Sequence, residues 1–337
     1  MPIAQKLDET QRRSKPVAVA VATFKKFSED RSTNLAAMIA FWGFFSIFPL
    51  FIVLVTLLAT FLPAGDKASV LGHLAKMLPV LDPSTVSGLT GSWWVLVVGV
   101  LTALWSGTGV VRTLQFAFDS VWEVPYHERP GLVQQTVRSV WVLATIGVGL
   151  VLTTFLSGII VSSSNGIHLG TIGRIGGYVL AVALDVGIFV AAFRLLTTRA
   201  ESVREVLPGA LLSGIAFFIL QQLSALVISH YLQSAQSTYG HFGTVITILW
   251  WFYIQAIITL LGAQLNVVLK EAFYPRSLAH APETDADHRV LAAYAAERAY
   301  HPGQKIATRI EAQEEPAGAG HRPATSPDET VGARRGP

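Results

Sequence analysis

The sequence predicts an all-α integral membrane protein: a bundle of six transmembrane helices with amphipathic helices at the membrane interface. Hydrophobic residues make up 51% of the 337 residues and charged residues only 14%, whereas soluble domains carry about a quarter charged residues. The segment Asn34–Leu269 holds 9 of the 25 Lys and Arg residues and 8 of the 22 Asp and Glu residues. Six stretches of it are long enough to cross a hydrocarbon core, which takes about 20 helical residues.

The six stretches are predicted to be helices, because lipid cannot hydrogen-bond free backbone groups and barrel strands would alternate apolar and polar residues. They run approximately over Asn34–Leu62, Ser92–Phe118, Thr136–Val161, Ile175–Thr197, Pro208–Tyr231 and Phe242–Leu269. The chain therefore divides into a basic N-terminal segment (1–33), a transmembrane domain (34–269) and a C-terminal tail (270–337). We expect the tail to be largely disordered beyond a short helix around Val290, because it has little to bury.

Basic residues in the short flanking segments predict the orientation of the spans. Those at the two termini and in the loops after spans two and four outnumber those on the opposite side, which are Lys67, Lys76 and Arg174. Both termini are therefore expected in the cytoplasm. Val17–Phe24 is predicted to be a short interfacial helix that Lys25 and Lys26 hold against anionic lipid. Asp66–Val80 has helical apolar spacing and is predicted to lie flat on the outer surface.

Four sequence landmarks follow one another along the spans. The first, from Ala36 to Leu50, reads A-x-x-x-A-x-x-x-x-x-S-x-F-P-L. The other three are Pro208-Gly209-Ala210, Tyr239-Gly240-His241-Phe242-Gly243 and Leu261-Gly262-Ala263-Gln264-Leu265-Asn266. Together they resemble the landmarks of the YihY/virulence factor BrkB family of bacterial inner-membrane proteins. The resemblance implies six spans in a bacterial inner membrane. Gln264 stands where the family often has Glu, which puts a proton or cation role of that carboxylate in doubt here.

Some members of that family carry the older label ribonuclease BN, but the residues do not favour an enzyme. The absence of Cys excludes disulfides, Cys-ligated metal sites and thiol catalysis. The nine His residues show no spacing typical of a metal-dependent nuclease. We therefore expect no metal, no cofactor and no catalytic site. A net charge of +3 without a concentrated basic patch gives little support to a nucleic-acid partner.

The candidate functional residues are the polar ones inside the spans, because placing them there costs several kcal/mol and they usually face the bundle or a cavity. Ser46, Pro49, Asp185, Gln221, Gln222 and Gln255 are predicted at one depth near the membrane midplane. They predict either a midplane substrate cavity, as in transporters, or hydrogen bonds between packed helices. Arg112 and Arg194 are candidate charge partners. They either snorkel to the interface, pair with Asp119, or, for Arg112, extend toward Asp185.

Membrane lipids are the expected partners. Gly99, Ala103 and Gly107, and likewise Ala210 and Gly214, recur every fourth residue and predict close packing within the bundle or between protomers of a homo-oligomer. The sequence favours translocation of a lipid-like or small anionic substrate, or a role in envelope maintenance. The alternative is a non-catalytic membrane scaffold whose polar midplane residues only join helices.

Overall fold

The computed structural model describes residues 2–61, 93–145, 171–199, 201–223, 242–278 and 283–308, and these contain helices and no strand. The all-α fold class is therefore confirmed. The helices are α1 (Pro2–Arg13), α2 (Lys15–Glu29), α3 (Ser32–Phe61), α4 (Trp93–Val121), α5 (132–145), α6 (Thr171–Leu196), α7 (Val203–Gln222), α8 (Phe242–Lys270) and α9 (Asp285–Glu297), with a 3₁₀ turn at Tyr126–Glu128.

Within the described residues, α3, α4, α6, α7 and α8 are long and apolar enough to cross a membrane. They correspond to predicted spans one, two, four, five and six. Helix α7 begins at Val203, five residues before the predicted start, because the Glu205 carboxylate caps it by accepting from the backbone N–H of Ser202 at 2.7 Å. The third predicted span overlaps α5 and continues outside the described residues. The predicted surface helix Asp66–Val80 and the tail residues 309–337 also lie outside them.

Helix α8 occupies the centre of the bundle. It packs against α2, α3, α4 and α7, while α3 also packs on α4 and α6 on α7. Leu260, Ala263 and Val267 of α8 are buried at this centre. The space beside two of the small residues is occupied by side chains of the same chain. A Cβ added to Gly107 would lie 3.3 Å from Leu143, and one added to Gly214 would lie 2.7 Å from Val186. A homo-oligomer through small-residue faces stays a prediction.

Helix α2 corrects the expectation of a short segment held against lipid by Lys25 and Lys26. It extends over Lys15–Glu29 and buries one face against the bundle, on which Ala18, Ala22 and Lys26 follow each other at intervals of four residues. Lys26 therefore points into the protein. Arg31, whose φ of 50° is in the left-handed region, turns the chain from α2 into α3.

The two terminal segments meet at one end of the bundle, which we call the polar end. The Gln11 amide donates to the carbonyl of Arg276 at 2.5 Å, and Lys25 Nζ lies 3.3 Å from the Asp287 carboxylate. The predicted helix around Val290 is α9, which begins after Thr284, whose backbone N–H donates to Asp287 Oδ2 at 3.0 Å. The starts of α3 and α7 and the ends of α4, α6 and α8 lie at this same end.

Candidate functional site: a buried ionic cluster and an adjoining crevice

Lys26 is the centre of a buried ionic cluster at the polar end. Its side chain is 0% exposed, and its Nζ lies 2.6 Å from Asp30 Oδ2 and also contacts the carboxylate of Glu123. Asp30 accepts two further hydrogen bonds, from Gln264 Nε2 at 2.6 Å and from the Tyr294 hydroxyl at 2.5 Å. We call these five residues the Lys26 cluster. Lys26 belongs to α2, Gln264 to α8 and Tyr294 to α9, while Asp30 follows α2 and Glu123 follows α4.

One cation and two carboxylates share this cluster, and burial decides how they titrate. Burial raises the pKa of Glu123 to about 7, an increase that the charge of Lys26 only partly offsets. Burial acts to lower the pKa of Lys26, but the Glu123 and Asp30 carboxylates outweigh it and hold that pKa above its usual value. Burial and the Asp30 charge raise the pKa of Tyr294 well above its usual range. Tyr294 is therefore a neutral donor at physiological pH.

A second ionic network next to the cluster fixes α9 on α2. The Arg276 side chain, 4% exposed, donates to Asp287 Oδ1 at 2.6 Å and to Glu29 Oε2 at 2.9 Å. Burial acts to raise the pKa of Asp287, but the hydrogen bond from Arg276 and others from backbone N–H groups hold it well below its usual range. The pair is thus ionised at physiological pH and locks the two terminal segments together.

A crevice between α3 and α4 opens beside the Lys26 cluster. Its outer part is a cavity of about 550 Å³, lined by Glu29, Asp30, Arg31, Asn34, Leu35, Phe116, Ser120, Tyr126, Tyr294, Glu297 and Arg298. The three carboxylates of this lining are each paired with a cation, Glu29 with Arg276, Asp30 with Lys26 and Glu297 with Arg129. Arg31 and Arg298 form no ion pair with any described residue. The unpaired charge at this opening is therefore positive.

The inner part of the crevice is a cavity of about 360 Å³ that adjoins the outer one at Phe116. It is lined by Met38, Trp42, Trp105, Thr108, Gly109, Arg112, Thr113, Phe116 and Gln135. Trp42 packs closely on α4, since a Cβ added to Gly109 would lie 2.6 Å from its ring. The outer and inner cavities together form what we call the α3–α4 crevice.

Arg112 is the charged group of the inner cavity. It precedes the end of α4 by nine residues, which places it roughly 13 Å from the polar end at the rise of an α-helix. Its guanidinium forms no hydrogen bond or ion pair with any described residue. The hydroxyls of Thr108 and Thr113 donate to carbonyls of their own helix, each at 2.8 Å. The inner cavity thus has a cation without a counterion between aromatic walls.

Asp119 and Arg194 bind partners other than the predicted ones. The Asp119 carboxylate accepts from the backbone N–H and the hydroxyl of Thr198, both at 2.8 Å. Arg194 donates to the carbonyl of Glu201 at 3.0 Å. The expected pairing of Arg112 with Asp119 or Asp185 is absent from the described residues. Of the two candidate arginines, Arg112 therefore lines the inner cavity, whereas Arg194 binds a backbone carbonyl.

The predicted midplane residues form no hydrogen bonds with one another within the described part of the chain. The Ser46 hydroxyl donates to the carbonyl of Gly43 in its own helix at 2.7 Å, and Pro49 is buried within α3, which continues through it. Asp185 on α6 is 8% exposed and has no hydrogen-bond partner among the described residues. Gln255 is half-buried.

Gln221 and Gln222 end the helical part of α7 and are exposed. Their convergence with Asp185 and Gln255 on one cavity stays a prediction.

Two of the sequence landmarks meet where α7 crosses α8. A Cβ added to Gly262 would lie 2.6 Å from the carbonyl of Gly209, and one added to Gly209 would lie 2.0 Å from the carbonyl of Gly262. The Asn266 side chain accepts from the backbone N–H of Gly209 at 2.6 Å, and the Ser213 hydroxyl donates to the carbonyl of Ile258 at 3.0 Å. Gly209 and Gly262 are therefore needed for close helix packing.

Sequence reasoning missed the Lys26 cluster. The spacing of Ala18, Ala22 and Lys26 placed Lys26 on the apolar face of α2, which was a usable signal for its burial. Glu123 and Tyr294 gave no comparable signal, because they meet Lys26 only through long-range packing. Gln264 belongs to the cluster through its amide, which donates to Asp30, whereas a third carboxylate at this position would repel Asp30.

No group of three or more His, Cys, Asp or Glu side chains placed to hold a metal ion occurs among the described residues. A family model described as virulence factor BrkB matches residues 23–287. This range covers α3, α4, α8, the crevice lining up to residue 287 and four members of the Lys26 cluster.

The chain is also similar to several individual proteins. A ribonuclease-like protein, YfkH, of Bacillus subtilis (strain 168) is 26% identical over 266 residues, which are 73% of this chain and 93% of that protein. A UPF0761 membrane protein of Pseudoalteromonas translucida (strain TAC 125) is 24% identical over 282 residues, with 81% and 80% of the two chains covered. No solved structure matches the chain.

Proposed function

This chain belongs to the virulence factor BrkB family, and we propose that it is a non-catalytic protein that binds and translocates an anionic, lipid-like substrate through the α3–α4 crevice. It is a membrane protein with several apolar helices long enough to span the bilayer. The proposal gives the substrate two chemical features, a negatively charged head group and an apolar part, and each has a counterpart in the lining of the crevice.

The observation that carries the proposal is the unpaired guanidinium of Arg112 in the inner cavity. An arginine at this depth costs several kcal/mol unless a partner or water compensates its charge. A guanidinium presents planar N–H donors that match a phosphate or carboxylate, and such charge-assisted bonds are strong. A substrate head group is the compensating anion in this proposal.

The apolar part of the proposed substrate is inferred from the walls of the inner cavity. Met38, Trp42 and Trp105 line it, and the ring centroids of Trp42 and Trp105 are 6.1 Å apart. Arg31 and Arg298, which have no ion-pair partners in the described chain, lie at the opening. An anionic amphiphile would thus meet positive charge at the opening, and aromatic walls with a second positive charge further in.

We place the polar end in the cytoplasm of a bacterial inner membrane. The excess of Lys and Arg on the terminal segments supports this orientation. It is also supported by the contacts between the N-terminal and C-terminal segments, which put both at the same end. The opening of the crevice then faces the cytoplasm and the cytoplasmic leaflet.

The test uses the full chain reconstituted in vesicles with a fluorescent phosphatidylglycerol analogue, and a phosphatidylcholine analogue for comparison. Arg112→Gln is expected to weaken binding and movement of the anionic probe at least about tenfold, because a hydrogen bond to a charged group contributes about 1.5–3 kcal/mol. Arg112→Lys keeps the charge and should retain part of the activity. Arg194→Gln is the matched control, since Arg194 lies outside the crevice. Wild-type behaviour of Arg112→Gln, or equal handling of the two probes, would refute the proposal.

A membrane scaffold remains the second candidate, and the fixed polar end favours it. The ion pairs of Arg276 with Asp287 and with Glu29 hold α9 on α2 and fix one polar surface. Arg276→Gln removes both pairs and should loosen this surface. A deletion phenotype that Arg276→Gln fails to complement, but that Arg112→Gln complements fully, would favour the scaffold.

A further inference from the structure

A third cavity lies apart from the α3–α4 crevice, between α2 and the transmembrane helices α7 and α8. It has a volume of about 590 Å³ and is walled by α2, α7 and α8. All of its lining side chains are apolar except Lys15 and Thr23, and the Thr23 hydroxyl donates to the carbonyl of Val19 in its own helix at 2.8 Å. The groove therefore offers no unpaired polar group to a ligand other than at its Lys15 end.

The shape of this groove follows the direction of the spans. Its wall on α8 extends from Leu269, next to the polar end, to Ile258, a length of roughly 16 Å at helical rise. Its wall on α7 is made by Leu212 and Ala216, and Phe24 of α2, 64% exposed, borders it. Because α7 and α8 both cross the membrane, the groove is open to the hydrocarbon chains of the leaflet at the polar end.

Positive charge marks the polar end of this groove. Lys15 lines it, with Nζ 5.6 Å from the centroid of the Tyr274 ring. Lys15 and the neighbouring Arg13 are exposed and form no ion pair with any described residue. Lys15 is also the first residue of α2, where the helix dipole is positive. An apolar slot with unpaired cations at its polar end matches a phospholipid chain with an anionic head group.

We propose that the groove between α2, α7 and α8 holds one acyl chain of an anionic phospholipid from the surrounding leaflet, with its head group at Lys15. The lipid fills the space between α2 and the helices α7 and α8, and it holds α2 against the bundle. This site is distinct from the α3–α4 crevice, since no residue lines both.

The test measures lipid bound to the full-length protein, purified in mild detergent, by native mass spectrometry after addition of phosphatidylglycerol or phosphatidylcholine. Wild type is expected to retain phosphatidylglycerol in preference. Ala216→Phe fills the groove and should lower the number of phosphatidylglycerol molecules retained per chain by one, while Ala183→Phe, on an exposed position of α6, serves as the matched control. Lys15→Ser should reduce the preference for phosphatidylglycerol about fivefold, the change that corresponds to about 1 kcal/mol per basic residue at a membrane surface.

Equal retention of phosphatidylglycerol by Ala216→Phe and Ala183→Phe would overturn the proposal. Equal retention of the two lipids by wild type would also overturn it. So would a groove that is occupied by detergent or by a second copy of the chain. If Ala216→Phe does not fold, Lys15→Ser decides alone, and an unchanged lipid preference overturns the proposal. Arg112→Gln should leave retention in this groove unchanged, which separates the outcome from that of the crevice.

Discussion

Replacing Lys26 with methionine tests the role of the buried ionic cluster. The substitution keeps an unbranched side chain of similar length in the same space but removes the cation that lies 2.6 Å from Asp30 and contacts Glu123. At pH 8 it leaves two carboxylates, each with a side chain only 4% exposed, without their counterion. Removing one partner of a buried ion pair destabilises a protein by about 3–5 kcal/mol. We expect the free energy of unfolding to fall by that amount.

The assay is unfolding of the full chain in mixed micelles, followed by tryptophan fluorescence as the fraction of denaturing detergent rises. Lys25→Met is the matched control, because Lys25 is 27% exposed and Arg276 still binds Asp287 when Lys25 is gone. The control should lose about 1 kcal/mol or less. Lys26→Met combined with Glu123→Gln should recover part of the loss, because one uncompensated charge has then been removed.

The deficit of Lys26→Met should also depend on pH. The charge of Lys26 lowers the pKa of Glu123, so that this pKa, about 7 in the wild-type chain, is higher in the variant and Glu123 is protonated at pH 5. Fewer uncompensated charges therefore remain as the pH falls. The deficit is therefore expected to shrink as the pH falls. A deficit at pH 8 that equals that of Lys25→Met, or one that grows as the pH falls, would refute the reasoning.

Three further outcomes are expected. Because the pKa of Glu123 is higher in the folded chain than its ordinary value of 4.5, its ionisation destabilises the fold as pH rises from about 4.5 through 7, and Glu123→Gln should flatten that part of the stability profile measured by unfolding. Gly262→Ala, whose Cβ would lie 2.0 Å from the Ser213 hydroxyl, should cost about 1–3 kcal/mol in the same assay, while Gly187→Ala, with no atom within 4 Å, should cost nothing. Purified protein should not cleave RNA with Mg²⁺ or Mn²⁺ present, and cleavage that persists through purification to homogeneity would contradict this.

The membrane helices were predictable because their signal is local. A run such as Phe242–Lys270 is long enough and apolar enough to cross a bilayer whatever its neighbours are. The start of α7 was missed by five residues, because its first turn is stabilised by the Ser202–Glu205 cap and not by apolar content. Burial of Lys26 was also missed, since a basic residue near the membrane interface was interpreted by its charge and not by its place on the apolar face of α2.

The candidate site was predictable only in part. The sequence pointed to Arg112 because an arginine inside a span is costly, but its cavity is formed by Trp42 and Gln135 from other helices. Equal depth suggested that Ser46 and Asp185 share a midplane site. Depth says nothing about which side of a helix faces which neighbour, and Ser46 in fact bonds to its own helix.

The sequence alone determined that this chain is a helical membrane protein with charged terminal segments, because hydrophobic length and charge density are properties of each segment by itself. The tertiary structure decided which charges meet. Asp30 and Tyr294 are 264 residues apart in the chain, and Lys26 and the carbonyl of Val121 that it contacts are 95 apart. Such partners are selected by how α2, α4, α8 and α9 pack, and packing depends on the shapes of all the helices together.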